Sequence, residues 1–217
     1  MIGGVPDEAW MAWARPLGPF LCDAAFRIAD SLYVGPDHGI GPDDWERLRV
    51  PLDPPDLPCR VPPLAATADL PGYEPALIAH YERLVAAAQR HGKPAALAHP
   101  FPYFSVTPLL LEADRPVVSF AWTDDVPQTR AILTALAGAG ADGVVWDEID
   151  QGWFMRVVVR DGTLFVAEGD PDEGPDVVLR VEARAVADQA AAALARLRTL
   201  HTHLTRAFGR DLWSYGG

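Results

Sequence analysis

Acidic side chains crowd one stretch of this chain: Asp147, Glu148, Asp150, Asp161, Glu168, Asp170, Asp172, Glu173 and Asp176 stand against only Arg156 and Arg160. Trp146, Trp153 and Phe154 are interleaved with them. An acidic rim around an aromatic centre is what a surface needs to draw in a basic partner through its field and then hold it by desolvated contact. Trp146, between Val145 and Asp147 on an expected strand, reads as core, and Trp153, after Gly152, is the surface candidate. The residues assigned to partner binding are therefore Asp147, Glu148, Asp150, Trp153, Glu168, Asp170, Asp172, Glu173 and Asp176. The competing reading is a solvated face with core tryptophans.

Other chemistries find less support. Asp170-x-Asp172 with Gly174 has the flavour of a calcium loop, but the twelfth position is Val181 where a bidentate Glu belongs, and Pro171 and Pro175 stiffen the path. Gly138, Gly140 and Gly143 match G-x-G-x-x-G, yet they follow an expected helix and precede an expected strand, so no helix N-terminus is offered to a pyrophosphate. His201 and His203 lie about 200° apart on a helix and cannot converge on one metal. His38, His80, His91 and His99 are scattered, and no Cys-x-x-Cys or His-Glu-x-x-His accompanies them. Ser31, Ser105, Ser119 and Ser214 all lie outside G-x-S-x-G. A carboxylate pair from Asp147, Glu148, Asp150 and Glu168 would serve acid–base chemistry only if burial split their pKa values, and Glu168 is expected at a sheet margin reaching water. No metal and no cofactor is implied.

The elements that must carry these residues are legible mainly after Pro116. Eighteen of the 21 prolines lie in residues 1–116, which divides the chain into a proline-rich helical and irregular half, 1–116, and a sheet-forming half, 117–217, expected to pack as one unit. In the first half, Asp7–Ala14 and Pro19–Leu32 read as helices, the latter from Phe20, Ala24, Ile28 and Leu32 at four-residue spacing. Asp43–Arg49 reads as a short helix capped by Asp43, and Glu74–His91 as a firm amphipathic helix with Pro75 in its first turn. Val50–Pro63, with six prolines, must be extended or turning, anchored by Leu52, Leu57 and Val61. Ala95–Ala98 and Phe104–Leu111 are strand candidates, Pro108 restricting the second to an edge or bulge.

In the second half, Val117–Trp122 and Gly143–Glu148 read as strands and Val126–Ala137 as a helix. Trp153–Arg160 and Thr163–Glu168 flank Asp161-Gly162, the dipeptide of a type I′ hairpin. Two-residue pairing sets Val159 opposite Leu164, Val157 opposite Val166 and Met155 opposite Glu168 on one face, and Val158 opposite Phe165 on the other. Both faces are apolar, so both must be covered. Val177–Val181 adds a strand, and Arg184–Phe208 is a long closing helix stopped by Gly209.

The segment Val144–Asp170, VVWDEIDQGWFMRVVVRDGTLFVAEGD, resembles a β-hairpin pattern found in bacterial immunity proteins associated with polymorphic toxins. The resemblance covers about an eighth of the chain and transfers no residue roles. It implies a varied α+β fold, an acidic cytoplasmic protein, and stoichiometric neutralisation of a cognate toxin.

The expected fold is α+β: a mixed, mainly antiparallel sheet with a long C-terminal helix, the proline-rich N-terminal half packed against it. A net charge of -12 opposes nucleic acid or an anionic membrane as partner. Two cysteines, Cys22 and Cys59, suit a reducing compartment, and no apolar run has the length of an export signal or a membrane span. The expected function is binding of a basic protein partner, plausibly a toxin domain, through the acidic surface. Two alternatives stay open: an enzyme or small-ligand-binding protein with a carboxylate/His pocket between the two halves, using carboxylates or His99, and a structural subunit or homodimer with an exposed apolar patch.

Overall fold

The expected type I′ hairpin turn is built from Asp161 and Gly162, both with positive φ (49° and 71°). The strands it joins, β9 (Trp153–Arg160) and β10 (Thr163–Asp170), pair in the register expected, including Val159 with Leu164, Met155 with Glu168 and Val158 with Phe165. Around them the computed structural model, which describes residues 8–36 and 41–215, has an α+β fold.

The hairpin is extended on both sides by β8 (Gly143–Asp150) and β11 (Gly174–Glu182), and the two-residue β1 (Arg15–Pro16) joins β11 in parallel. The order β1-β11-β10-β9-β8 makes a mixed, mainly antiparallel five-stranded sheet. A second sheet, ordered β5-β2-β6-β7, comprises β2 (Phe20–Arg27), β5 (Leu64–Ala66), β6 (Val106–Glu112) and β7 (Arg115–Pro116). A pair of short strands, β3 (Ser31–Tyr33) and β4 (Arg49–Pro51), stands apart. The helices are α1 (Pro42–Arg47), α2 (Glu74–Arg90), α3 (Val126–Ala137) and α4 (Ala183–Phe208).

Both faces of the hairpin are covered. Met155, Val157, Val159, Leu164 and Val166 face a large core that draws on both halves of the chain: Phe26 and Leu110 of the second sheet, Tyr81 of α2, Ile132 of α3 and Leu197 of α4. Phe154, Val158 and Ala167 face the other way, against Trp10 and Ala14. Trp10 belongs to a 3-10 helix, Glu8–Trp13, and meets Phe165 edge-on at 6.4 Å. At the far end of the main core Trp213 is fully buried, its ring 5.2 Å from Tyr81, 5.6 Å from Phe104 and 5.6 Å from Phe208.

Four expectations are corrected. Pro19–Leu32 forms β2 and β3 and no helix: a four-residue spacing is a multiple of the strand period as well as nearly one helical turn, and β2, paired on both sides, buries both its faces. Ala95–Ala98 forms no strand: Ala95–Leu97 belongs to a 3-10 helix, Pro94–Leu97, capped by Ala98, as suits alanines after a proline in a first turn. Val117–Trp122 is irregular, with Phe120 and Trp122 at positive φ (46° and 63°), because the Ser119 N–H donates to a carboxylate instead of a neighbouring strand. Helix α1 starts at Pro42 behind Gly41, so Asp43 is not its N-cap; His38, also weighed above, lies outside the described residues. The helix expected over Asp7–Ala14 is a 3-10 helix, Glu8–Trp13, Asp7 lying outside the described residues; Pro108 sits, as expected, where β6 pairs only with β2, and Leu52, Leu57 and Val61 tie the proline-rich connector to buried clusters.

Two expected outcomes follow from this packing. A Cβ on Gly169 would stand 2.5 Å from the Gly174 carbonyl oxygen and 2.7 Å from the Asp176 nitrogen, both backbone atoms. Gly169→Ala should therefore cost at least about 2 kcal/mol in urea unfolding, against about 1 kcal/mol for Gly162→Ala, whose added Cβ meets open space at a positive φ. Burial, and then the charge of Arg83, push the His80 imidazole down to about 4. Above pH 6.5 His80 is neutral folded and unfolded and contributes nothing; as pH falls towards 4 the unfolded chain gains a proton the native state refuses. About 3 kcal/mol of stability should be lost across that window, and chemical denaturation of His80→Phe at pH 7 and pH 4.5 should show a correspondingly smaller loss.

Candidate acidic end of the sheet

The turn between β8 and β9 and the turn between β10 and β11 lie at the same end of the sheet, because the strands run antiparallel in the order β11-β10-β9-β8. This brings together acids far apart in sequence. Asp147, Asp150, Asp172, Glu173 and Asp176 are exposed, and Glu148 and Asp170 are half-buried. Among the described residues none of these seven forms an ion pair with an arginine, lysine or histidine. Asp170 accepts the backbone N–H of Asp172 at 2.7 Å, closing its turn, and Glu148 accepts the Trp146 indole N–H at 3.0 Å.

Glu168 does not belong to this surface. It is 1% exposed, and every group that meets it is a donor: the Ser119 backbone N–H at 2.8 Å, the Ser119 hydroxyl, and the Trp153 indole N–H at 2.9 Å. Its expected place at a wet margin is overturned by the loop 117–124, which closes over that end of the core face. Trp153 is accordingly half-buried with its polar edge turned inward, a weaker surface anchor than expected. Trp146 packs against the main core, as its alternation implied. Of the four carboxylates weighed as a pair, Glu148 and Glu168 flank Met155 two strands apart, about 10 Å at the backbone, each holding its own indole N–H.

The exposed apolar residues of β8 are ones the sequence reading did not single out: Ile149 next to the acidic turn, and Val144 towards the opposite end of the strand, where it pairs with Val158. β8 is the outermost strand, its outer edge unpaired among the described residues, and it carries Val144 and Ile149, each 50% exposed. A register shift between Val144 and Trp146 bends the strand there. Alternation of Asp147 and Ile149 with Trp146 and Glu148 carried the signal for Ile149, whereas strict alternation sets Val144 with Trp146 and only the register shift between them frees it; which strand would be outermost is set by pairing alone.

The other candidate chemistries gain little from the geometry. Among the described residues no cluster of three His, Cys, Asp or Glu side chains is placed to hold a metal ion, and no helix is long and apolar enough to cross a membrane. His201 pairs with Asp211 at 3.0 Å while His203 faces solvent. His99 lines a cleft of about 660 Å³ with Tyr33, Trp45, Lys93 and Tyr103, all from the first half and with no carboxylate among the described residues. Gly138 ends α3 and Gly143 opens β8, so the glycine motif is a helix-to-strand loop. Cys22 is buried, and burial first, then the charge of Asp23, push its thiol up to about 12, the opposite of an activated nucleophile.

Comparison with protein-family models, with curated proteins and with solved structures returned no match to this chain.

The role of Glu168 is open to direct measurement. Glu168→Gln replaces one acceptor oxygen by a donor facing donors, so it should cost about 2–3 kcal/mol in chemical denaturation, with a blue-shifted or broadened Trp153 emission. A near-neutral change would mean that Glu168 does not hold the 117–124 segment.

Proposed function

We propose that this protein binds another protein stoichiometrically through the acidic end of the five-stranded sheet and the free edge of β8, as a cytoplasmic immunity-type protein that covers a basic toxin domain. The observation that carries the reading is the exposure of Ile149, with Val144 further along the same strand edge, beside acids that form no ion pair among the described residues. An unpaired edge offers backbone donors and acceptors to an incoming strand. The acids Asp147 and Asp150 on the same strand discourage pairing with a second copy and favour a basic partner. Uncompensated carboxylates raise the rate of encounter with such a partner, and the apolar contacts then set its lifetime. The net charge of -12 argues against nucleic acid.

The test is affinity capture from the native host at low and high salt, with two variants run alongside the wild-type chain. One carries Asp150→Lys, Asp172→Lys and Glu173→Lys, exposed acids whose carboxylates make no internal hydrogen bond among the described residues; the other carries Ile149→Lys. The expected result is a basic, stoichiometric partner whose association slows about tenfold with the charge reversal and loses its salt sensitivity, and whose dissociation quickens with Ile149→Lys. A partner retained equally by both variants would overturn the site. A partner that proves harmless to cells when expressed alone would overturn the immunity reading and leave protein binding standing.

A further inference from the structure

The chain is acidic overall, yet from Gln189 to Arg210 it contains no acid, four arginines and two histidines. This segment is most of α4. Where α4 passes the start of α2, a groove of about 280 Å³ opens, lined by Pro71 and Glu74 on one side and Arg196, Thr199, Leu200 and His203 on the other. It continues along the helix into a second depression of about 500 Å³ that shares Thr199 and His203 and adds Arg198 and Arg206.

Arg196 is held in place from behind. Its Nη2 donates to Asp23 Oδ1 at 2.9 Å and its Nε to the Thr67 hydroxyl at 3.1 Å. Asp23 is fully buried in β2 and also accepts the Ala68 backbone N–H at 2.7 Å and the Thr67 hydroxyl. A buried carboxylate is costly unless paired, and here the partner is an arginine whose side chain is still 29% exposed. Two of its nitrogens are committed to the core; Nη1 has no partner among the described residues and is the one left for the groove. In the groove itself Arg196 stands across from Glu74, whose carboxylate is turned to the Gly72 N–H at 2.8 Å, and Arg198 and Arg206 add positive charge along the adjoining depression. Pro71, Ala195 and Leu200 give the groove an apolar floor.

We propose that this groove binds a small amphipathic organic anion, its carboxylate or phosphate head on Arg196 and its apolar body against Pro71 and Leu200. A guanidinium whose orientation is set in advance binds an oxyanion with little further loss of freedom. The site is separate from the acidic end of the sheet and does not depend on it. Small-ligand binding, raised above as the alternative to protein binding, is thereby assigned to a different place from the His99 cleft.

Calorimetry and amide chemical-shift mapping with sodium phosphate, hexanoate and hexyl phosphate test it on the intact chain. Expected is saturable binding of hexanoate or hexyl phosphate below about 1 mM, with shifts confined to residues 67–74 and 195–206. Preference between the two probes identifies the head group; saturation by inorganic phosphate alone would show an adventitious ion only and overturn the proposal. Thr199→Trp fills the groove from an exposed position and should weaken binding at least about tenfold, and Arg198→Ala about threefold, in variants whose melting temperature is unchanged. Arg196→Lys should lose at least about tenfold as well, and its stability is followed in parallel because Asp23 depends on it. Absence of saturable binding by both amphipathic probes, or binding indifferent to Thr199→Trp, would overturn the proposal.

Discussion

A hairpin that is apolar on both faces cannot be left with either face in water, and most of this structure answers that constraint. One face of β9 and β10 is met by the main core, to which both sheets and α2, α3 and α4 contribute. The other is met by Trp10 and Ala14, brought back by the parallel pairing of β1 with β11. The hydrophobic term scales with area removed from water, so a short 3-10 helix that buries one of its two indoles, Trp10, suffices to cover Phe154, Val158 and Ala167. A shift of one residue in the hairpin would exchange the two faces. The Asp161-Gly162 turn excludes that shift, which is why the register could be read from the chain alone.

Two buried carboxylates hold together what the apolar contacts only bring near, and they do it by different means. Glu168 is satisfied by neutral donors, Ser119 and Trp153, so its effect is structural: it fixes an irregular segment over the edge of the core face. Asp23 is satisfied by hydroxyl, amide and guanidinium together, and the guanidinium reaches the surface. The first solution closes a part of the molecule to water, and the second transmits a fixed orientation outward.

Charge is separated in the same spirit. Seven acids with no ion pair among the described residues lie along β8 and around the β10–β11 turn beside it, while the acid-free length of α4 presents arginines, Arg196 among them beside α2. At physiological ionic strength a Debye length is about 8 Å, so patches further apart than that act as independent fields. A net charge of -12 describes neither surface well.

Length, charge, the hairpin and its register, helices α2, α3 and α4, and the anchoring of the proline-rich connector were determined by the sequence itself, because each rests on local periodicity or turn chemistry that tertiary contacts had no reason to override. The acidic cluster was legible too, since antiparallel strands joined by short turns return to the same end. What only the tertiary structure decided was everything that depends on a distant partner. β2 is a strand because β5 and β6 flank it, a fact its four-residue spacing could not express. Glu168 is buried because a loop 49 residues away donates to it, and Val144 and Ile149 are exposed because no strand pairs beyond β8. Arg196 became a candidate ligand group only when Asp23, 173 residues earlier, was found behind it. Local patterns encode which face is apolar; long-range pairing, invisible to them, decides which edges and which charged groups remain available for function.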